Sequence, residues 1–99
     1  PAGAKARKIV MVEYPRPGCL GFGFATGESV RDGHVYVHVF VPTTPNPTSG
    51  WLFLLKMEEV WEVNYSGEEA MKMILSGGIV HKGELELRPY TRMEPAVAQ

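Results

Sequence analysis

The segment Cys19–Glu28, CLGFGFATGE, narrows the possible folds more than any other. Read as a strand it is two-faced, because successive side chains point to opposite sides. Leu20, Phe22, Phe24 and Thr26 lie on one face, and Cys19, Gly21, Gly23 and Ala25 on the other. A strand face built only of small residues requires another element to pack very close, or the strand to curve sharply. Glycines used in this way close or coil a sheet. A dinucleotide fingerprint needs G-x-G-x-x-G between a strand and a helix. Here the spacing differs and no helix follows, so no nucleotide cofactor is expected, and no other cofactor is expected either.

The neighbouring segments supply the rest of a sheet. RKIVMVEY carries Ile9, Val10, Met11 and Val12 in one block, which predicts a first strand buried on both faces and ending at Tyr14 before Pro15. PRPG is a turn, and SVRDG is expected to be another. HVYVHVFVP sets Val35, Val37, Val39 and Val41 on one face and His34, Tyr36, His38 and Phe40 on the other, which predicts a central strand. WLFLLKM is a near-continuous apolar run, read as a buried fourth strand, and a short extended segment with Val60, Trp61 and Val63 follows. Ser66 with Glu69 forms a capping box, and Met71, Ile74 and Leu75 recur at helical spacing up to Ser76-Gly77-Gly78. That predicts one helix from about Gly67 to Ser76. Leu85 and Leu87 alternate with Glu84, Glu86 and Arg88 in a half-exposed last strand.

The expected fold class is therefore α+β: a small, curled, mostly antiparallel β-sheet of five to six strands, barrel- or sandwich-like, with one short helix. Residues 1–8 read as a juxtamembrane or flexible N-terminal segment, 9–90 as a single soluble β-rich domain, and 91–99 as a flexible tail. The expected core is Val10, Val12, Leu20, Phe22, Phe24, Val37, Val39, Phe53, Leu55, Ile74 and Leu75.

Composition restricts function. The 99 residues suit one small domain, and ten basic against eleven acidic residues give a formal charge of -1, without the basic stripe of a nucleic-acid binder. No apolar run approaches the ~18 residues of a membrane span. Cys19 is the only cysteine, so no internal disulfide is possible, and its plainer role is a small core side chain. His34 and His38 share a strand face but sit roughly 13 Å apart at ~3.3 Å per residue, too far to chelate one zinc ion. No metal site is expected. Ser49 has no recognisable base or orienting acid, the G-x-S-x-G elbow is missing, and Glu58 and Glu59 are adjacent, so in a strand they face opposite ways. No catalytic constellation emerges, and no enzyme is expected.

The segment PTTPNPTSG, residues 42–50, is the exception to this blandness. Its Thr43, Thr44, Asn46, Thr48 and Ser49, together with Trp51, form the candidate ligand- or partner-binding set. The same hydroxyls and amide are equally suited to pairing the loop's own backbone. Three prolines pre-set an extended path but remove amides that would cradle a phosphate, and G-x-x-x-x-G-K is missing.

Three stretches together carry a family likeness: VMVEYPRPGCLGFGFATGE, VHVFVPTTPNPTSGWLFLL and EEAMKMILSGGIV. In that order the chain resembles the domain of unknown function 502 family, which includes the plant continuous-vascular-ring-like membrane proteins. Trp51 and Lys56 depart from a segment that is usually more uniformly apolar in the family. The resemblance implies two N-terminal transmembrane helices preceding a soluble domain, hence a membrane localisation for the full protein, and no established activity or cofactor. It places the basic Lys5, Arg7 and Lys8 at the bilayer surface as membrane-surface candidates, where each contact with anionic headgroups is worth ~1 kcal/mol. The expected function is a non-catalytic interaction domain, mediating self-association or partner binding in membrane organisation or trafficking. The alternative is a small-ligand-binding or catalytic domain built on Thr43–Ser49. No nucleic-acid partner is expected.

Overall fold

The computed structural model describes residues 8–93. Its strands are β1 (Lys8–Glu13), β2 (Leu20–Arg31), β3 (His34–Pro42), β4 (Gly50–Lys56), β5 (Trp61–Val63) and β6 (Leu87–Pro89), with one helix, α1 (Gly67–Leu75). They form one antiparallel sheet in the order β4-β3-β2-β1-β5-β6, which does not close into a barrel. Mostly β with a single helix, it is an α+β fold as the patterning predicts.

The chain connectivity forces the sheet to curl. From β4 to β5 in the bonded order is four strand spacings, ~19 Å in a flat sheet. The link is only Met57–Val60, and Met57–Glu59 form a 3₁₀ turn, which advances only ~2 Å per residue. A flat sheet cannot be bridged by so short a link, so β4 bends round towards β1 and β5. The Tyr14 and Phe53 rings accordingly meet at 5.1 Å across the concavity.

That concave face holds the main core. Val10, Val12, Ala25, Val37, Val39, Val41, Val60 and Tyr90 are buried there, with Tyr14, Phe53, Leu55, Met57 and Met93 packed around them. The small-residue face of β2 lies on this side. Gly23 pairs with Val10, and a Cβ at Gly23 would stand 2.5 Å from Val39 Cγ1. Both consequences anticipated for CLGFGFATGE, close packing and curvature, therefore occur together. A register shift between Ala25 and Gly27 then bends the second half of β2, as a bulged strand does.

The outer face carries a second, smaller cluster: Met11, Val63, Tyr65 and Ala70, with Ile9, Phe22 and Met73. Here α1 lies against the sheet. Its start is fixed locally: Ser66 Oγ accepts from the Glu69 amide at 3.1 Å, and Glu69 Oε1 accepts from the Ser66 amide at 2.9 Å. Its end is equally local. Gly77 and Gly78, with φ of 66° and 94°, donate to Ile74 and Met73 carbonyls, the double closure that glycine allows.

Several expectations are corrected. SVRDG is not all turn: Ser29, Val30 and Arg31 pair with Tyr36, Val35 and His34, and only Asp32-Gly33 turns. Both have positive φ, 51° and 78°, which lets two residues reverse the chain with a twist matching the strands. The fourth strand is not buried, since Trp51, Leu52 and Leu54 are exposed. Leu20 and Leu75, expected in the core, are 40% and 52% exposed. Leu20 opens β2 opposite Glu13, at the margin of the face that α1 covers, and Leu75 follows Ile74 and turns off the helix's buried stripe. The last strand shortens to Leu87–Pro89.

Candidate interaction surface

The loop between β3 and β4 is closed by its own hydrogen bonds. The Thr43 amide donates to Ser49 O at 2.9 Å, holding the two ends together. Thr43 Oγ1 donates to Asn46 O at 2.6 Å and lies 2.9 Å from Ser49 Oγ. Asn46 Oδ1 accepts from Thr48 N at 3.2 Å and from Thr48 Oγ1 at 2.6 Å. Such side-chain bonds replace the ladder that an irregular path cannot make. Thr44 does something different: its Oγ1 donates to Ile74 O at 3.0 Å. This satisfies a helix C-terminal carbonyl and ties the loop to α1. The five polar residues thus turn inward, four to the loop and one to the helix.

Trp51 emerges directly from this loop and is 53% exposed. Beside it on β4, Leu52 and Leu54 are 64% and 51% exposed and lie opposite Phe40 and His38 of β3. The apolar run read as a buried strand therefore forms an apolar margin next to a self-braced polar loop. An open groove of about 290 Å³ lies between the sheet and the helix end, walled by Phe22, Val41, Thr44, Met73, Gly77 and Gly78. Another of about 270 Å³ lies where the curled sheet stays open, between Leu55, Trp61 and the carboxylates of Glu13, Glu58 and Glu59. Among the described residues no group of three or more His, Cys, Asp or Glu could hold a metal ion.

A second polar cluster escaped the sequence patterning. Glu62 Oε2 accepts from Lys8 Nζ at 2.9 Å, the Thr91 amide at 3.0 Å and Thr91 Oγ1 at 2.9 Å. Glu28 accepts from Tyr90 Oη at 2.6 Å, the Met93 amide at 2.7 Å and Arg92 Nε at 2.9 Å. Two carboxylates thus clasp Tyr90–Met93 against the core, although the sequence reads 91–93 as part of a flexible tail. Burial pushes both carboxyls up. For Glu28 the bonds from Tyr90, Met93 and Arg92 outweigh it, and for Glu62 those from Lys8 and Thr91, leaving both below the ordinary value. Burial, then the neighbouring Glu28, raises the Tyr90 phenol well above its ordinary range. The partners lie 62 to 65 residues apart for Glu28 and 29 to 54 for Glu62, so no local spacing signals them. Of the membrane-surface candidates, Lys8 points into this clasp and stands 5.1 Å from the Tyr90 ring centroid. Lys5 and Arg7 lie outside the described residues.

Fold and surface define a class: a small, open, curled antiparallel sheet with one helix and an exposed apolar edge. Comparison with known families adds one partial match. The model of the family described as Protein of unknown function (DUF502) matches residues 2–49, from the N-terminal segment through the loop's last serine, and this supports assigning the chain to that family. No curated protein and no solved structure matches the chain significantly. No helix among the described residues is long and apolar enough to cross a membrane.

Proposed function

We propose that this domain is a non-catalytic interaction module of a membrane-anchored protein, with the Thr43–Ser49 loop and Trp51 at the centre of its contact surface. The observation that carries the reading is Trp51, 53% exposed beside a loop that its own hydrogen bonds hold in place. A large aromatic group on a pre-organised support loses little entropy when it meets a partner, and such groups dominate contact energies. The small-ligand or catalytic alternative would need the loop's hydroxyls to converge on an open site. Thr43, Thr44 and Thr48 already donate to Asn46, Ile74 and Asn46. The anchor belongs to the proposal through the family resemblance: helices N-terminal to this domain would hold it at a membrane, with Lys5 and Arg7 nearest the bilayer.

Crosslinking and light scattering of the membrane-anchored protein test the reading. Wild type is expected to crosslink to itself or to a defined partner. Trp51→Ala is expected to weaken that association tenfold or more, equivalent to about 1.4 kcal/mol. A protein that stays strictly monomeric and captures no partner would refute it.

A further inference from the structure

β4 ends the sheet in the bonded order, and its hydrogen-bonding pattern follows from one proline. Pro42, which has no N–H, stands opposite Gly50, and the next pair is bonded through Thr43 N to Ser49 O. Antiparallel pairs alternate between bonded and non-bonded. Trp51, Phe53 and Leu55 therefore exchange bonds with β3, while Gly50, Leu52, Leu54 and Lys56 turn their N–H and C=O groups outward. Among the described residues, β4 makes no backbone hydrogen bonds except with β3 and at the turn that follows it. The two leucines with outward backbone are also those with exposed side chains.

Soluble sheets protect such edges with charge, proline, bulges or short strands. The opposite edge is protected: β6 has three residues, two of them Arg88 and Pro89. β4 has seven, its register with β3 is unbroken, and its only charge is the terminal Lys56. The outer face of β4 is uncovered too, and Tyr36, His38 and Phe40 beside it on β3 are only half-buried, because α1 packs on Met11, Phe22 and Val63, over β1, β2 and β5.

We infer that β4 pairs antiparallel with β4 of a second copy of this chain, about a two-fold axis through Phe53. The strand is self-complementary in that register. Each Leu52 faces the other copy's Leu54, both with outward backbone, so each such pair closes two hydrogen bonds. Each Lys56 faces a glycine. Shifting the register by two residues either leaves Leu54 opposite Gly50 or sets Lys56 opposite Leu52, and only the centred pairing joins all four leucines. The two sheets then continue across the axis, and each Trp51 flanks it. This rests on the interaction reading above and specifies its partner.

The test is amide hydrogen exchange by NMR on the full chain, alongside light scattering over a dilution series. A dimer at high concentration is expected, with Leu52 and Leu54 amides slowed together roughly tenfold or more relative to the diluted chain, while Trp51 and Phe53 stay protected throughout. Leu54→Pro removes an outward N–H that β3 does not use, so it should abolish the dimer and keep the fold. Leu54→Lys should do the same by charge and stands in if the proline variant does not fold. A chain monomeric up to ~1 mM, or a dimer whose Leu52 and Leu54 amides still exchange fast, overturns the inference. Protection of those amides only by a different protein also overturns it, yet leaves the interaction reading standing. Absence of both self-association and partner binding ends both.

Discussion

The substitution Gly23→Ala tests the physical origin of the curl. Gly23 faces the concave core between Val10 and Val39, both fully buried. An added Cβ would lie 2.5 Å from Val39 Cγ1, 3.4 Å from Phe40 O and 3.5 Å from Val10 Cγ2. Carbon atoms prefer roughly 3.5–4.0 Å, so Val39 would have to retreat by about 1 Å. It is β-branched and closely packed, and other rotamers are poorly available to it. Overpacking of this kind costs about 1–3 kcal/mol. Restricting the unfolded chain returns about 0.4–1 kcal/mol. The net expectation is a loss of about 1–2 kcal/mol, a fall in Tm of roughly 4–16 °C for a domain of this size.

Urea unfolding and calorimetry measure this directly, and a second substitution makes the result specific. Val39→Ala alone removes two methyl groups, about 1.6 kcal/mol of transfer energy before any cavity term. In the double variant the new Cβ occupies space that Val39 vacates, so the two changes should couple favourably by about 1 kcal/mol or more. A neutral or stabilising Gly23→Ala, or an additive cycle, would refute the view that close approach at Gly23 is what its glycine serves.

Three further outcomes are expected. Gly50→Ala should cost about 3 kcal/mol or more in urea unfolding, because its Cβ would clash with backbone, Val41 O and Pro42 Cα, where no side-chain rotation relieves it. Ser66→Ala should cost about 1 kcal/mol and fray the first turn of α1, seen as faster exchange of the Glu69 amide. The folded-state carboxyls of Glu28 and Glu62 sit below their unfolded value. Their contribution is therefore present above the ordinary carboxylate range and lost as pH falls through the lowered values. Stability of wild type should drop on acidification across that window, and the slope should flatten in Glu28→Gln and Glu62→Gln. An unchanged slope in both variants would detach the clasp from acid stability.

The parts of this fold that were legible in the sequence are those whose cause is local. The capping box at Ser66 and Glu69 sits within four residues, and the helix began where it indicated. The small face of β2 announced a close approach because Gly21, Gly23 and Ala25 alternate along one strand. SVRDG reads as one long turn because Val30 and Arg31 reveal their strand role only when Val35 and His34 lie opposite. The candidate loop was found from composition, yet the inward direction of its bonds depends on the ends meeting at Thr43 and Ser49. The clasp was invisible, because Glu28 and Tyr90 are ordinary residues until the curl brings them within 2.6 Å.

The β4 run reads as buried in the sequence, and the reason it is not lies in the rest of the fold. An apolar run implies burial only if something covers both faces, and coverage is a property of the other elements. A nine-residue helix is ~13 Å long, whereas six strands span ~24 Å. One such helix cannot cover this sheet, and α1 covers the β1, β2 and β5 side. The β3–β4 side is left open by arithmetic rather than by any feature of its own sequence. The Thr43–Ser49 loop stands at the boundary, opening into β4 at one end and bonded through Thr44 to the last turn of α1 at the other. Its own hydrogen bonds fix its ends there. The Thr43–Ser49 closure and the Thr44 bond together set where the first residues of the free edge lie relative to the helix end.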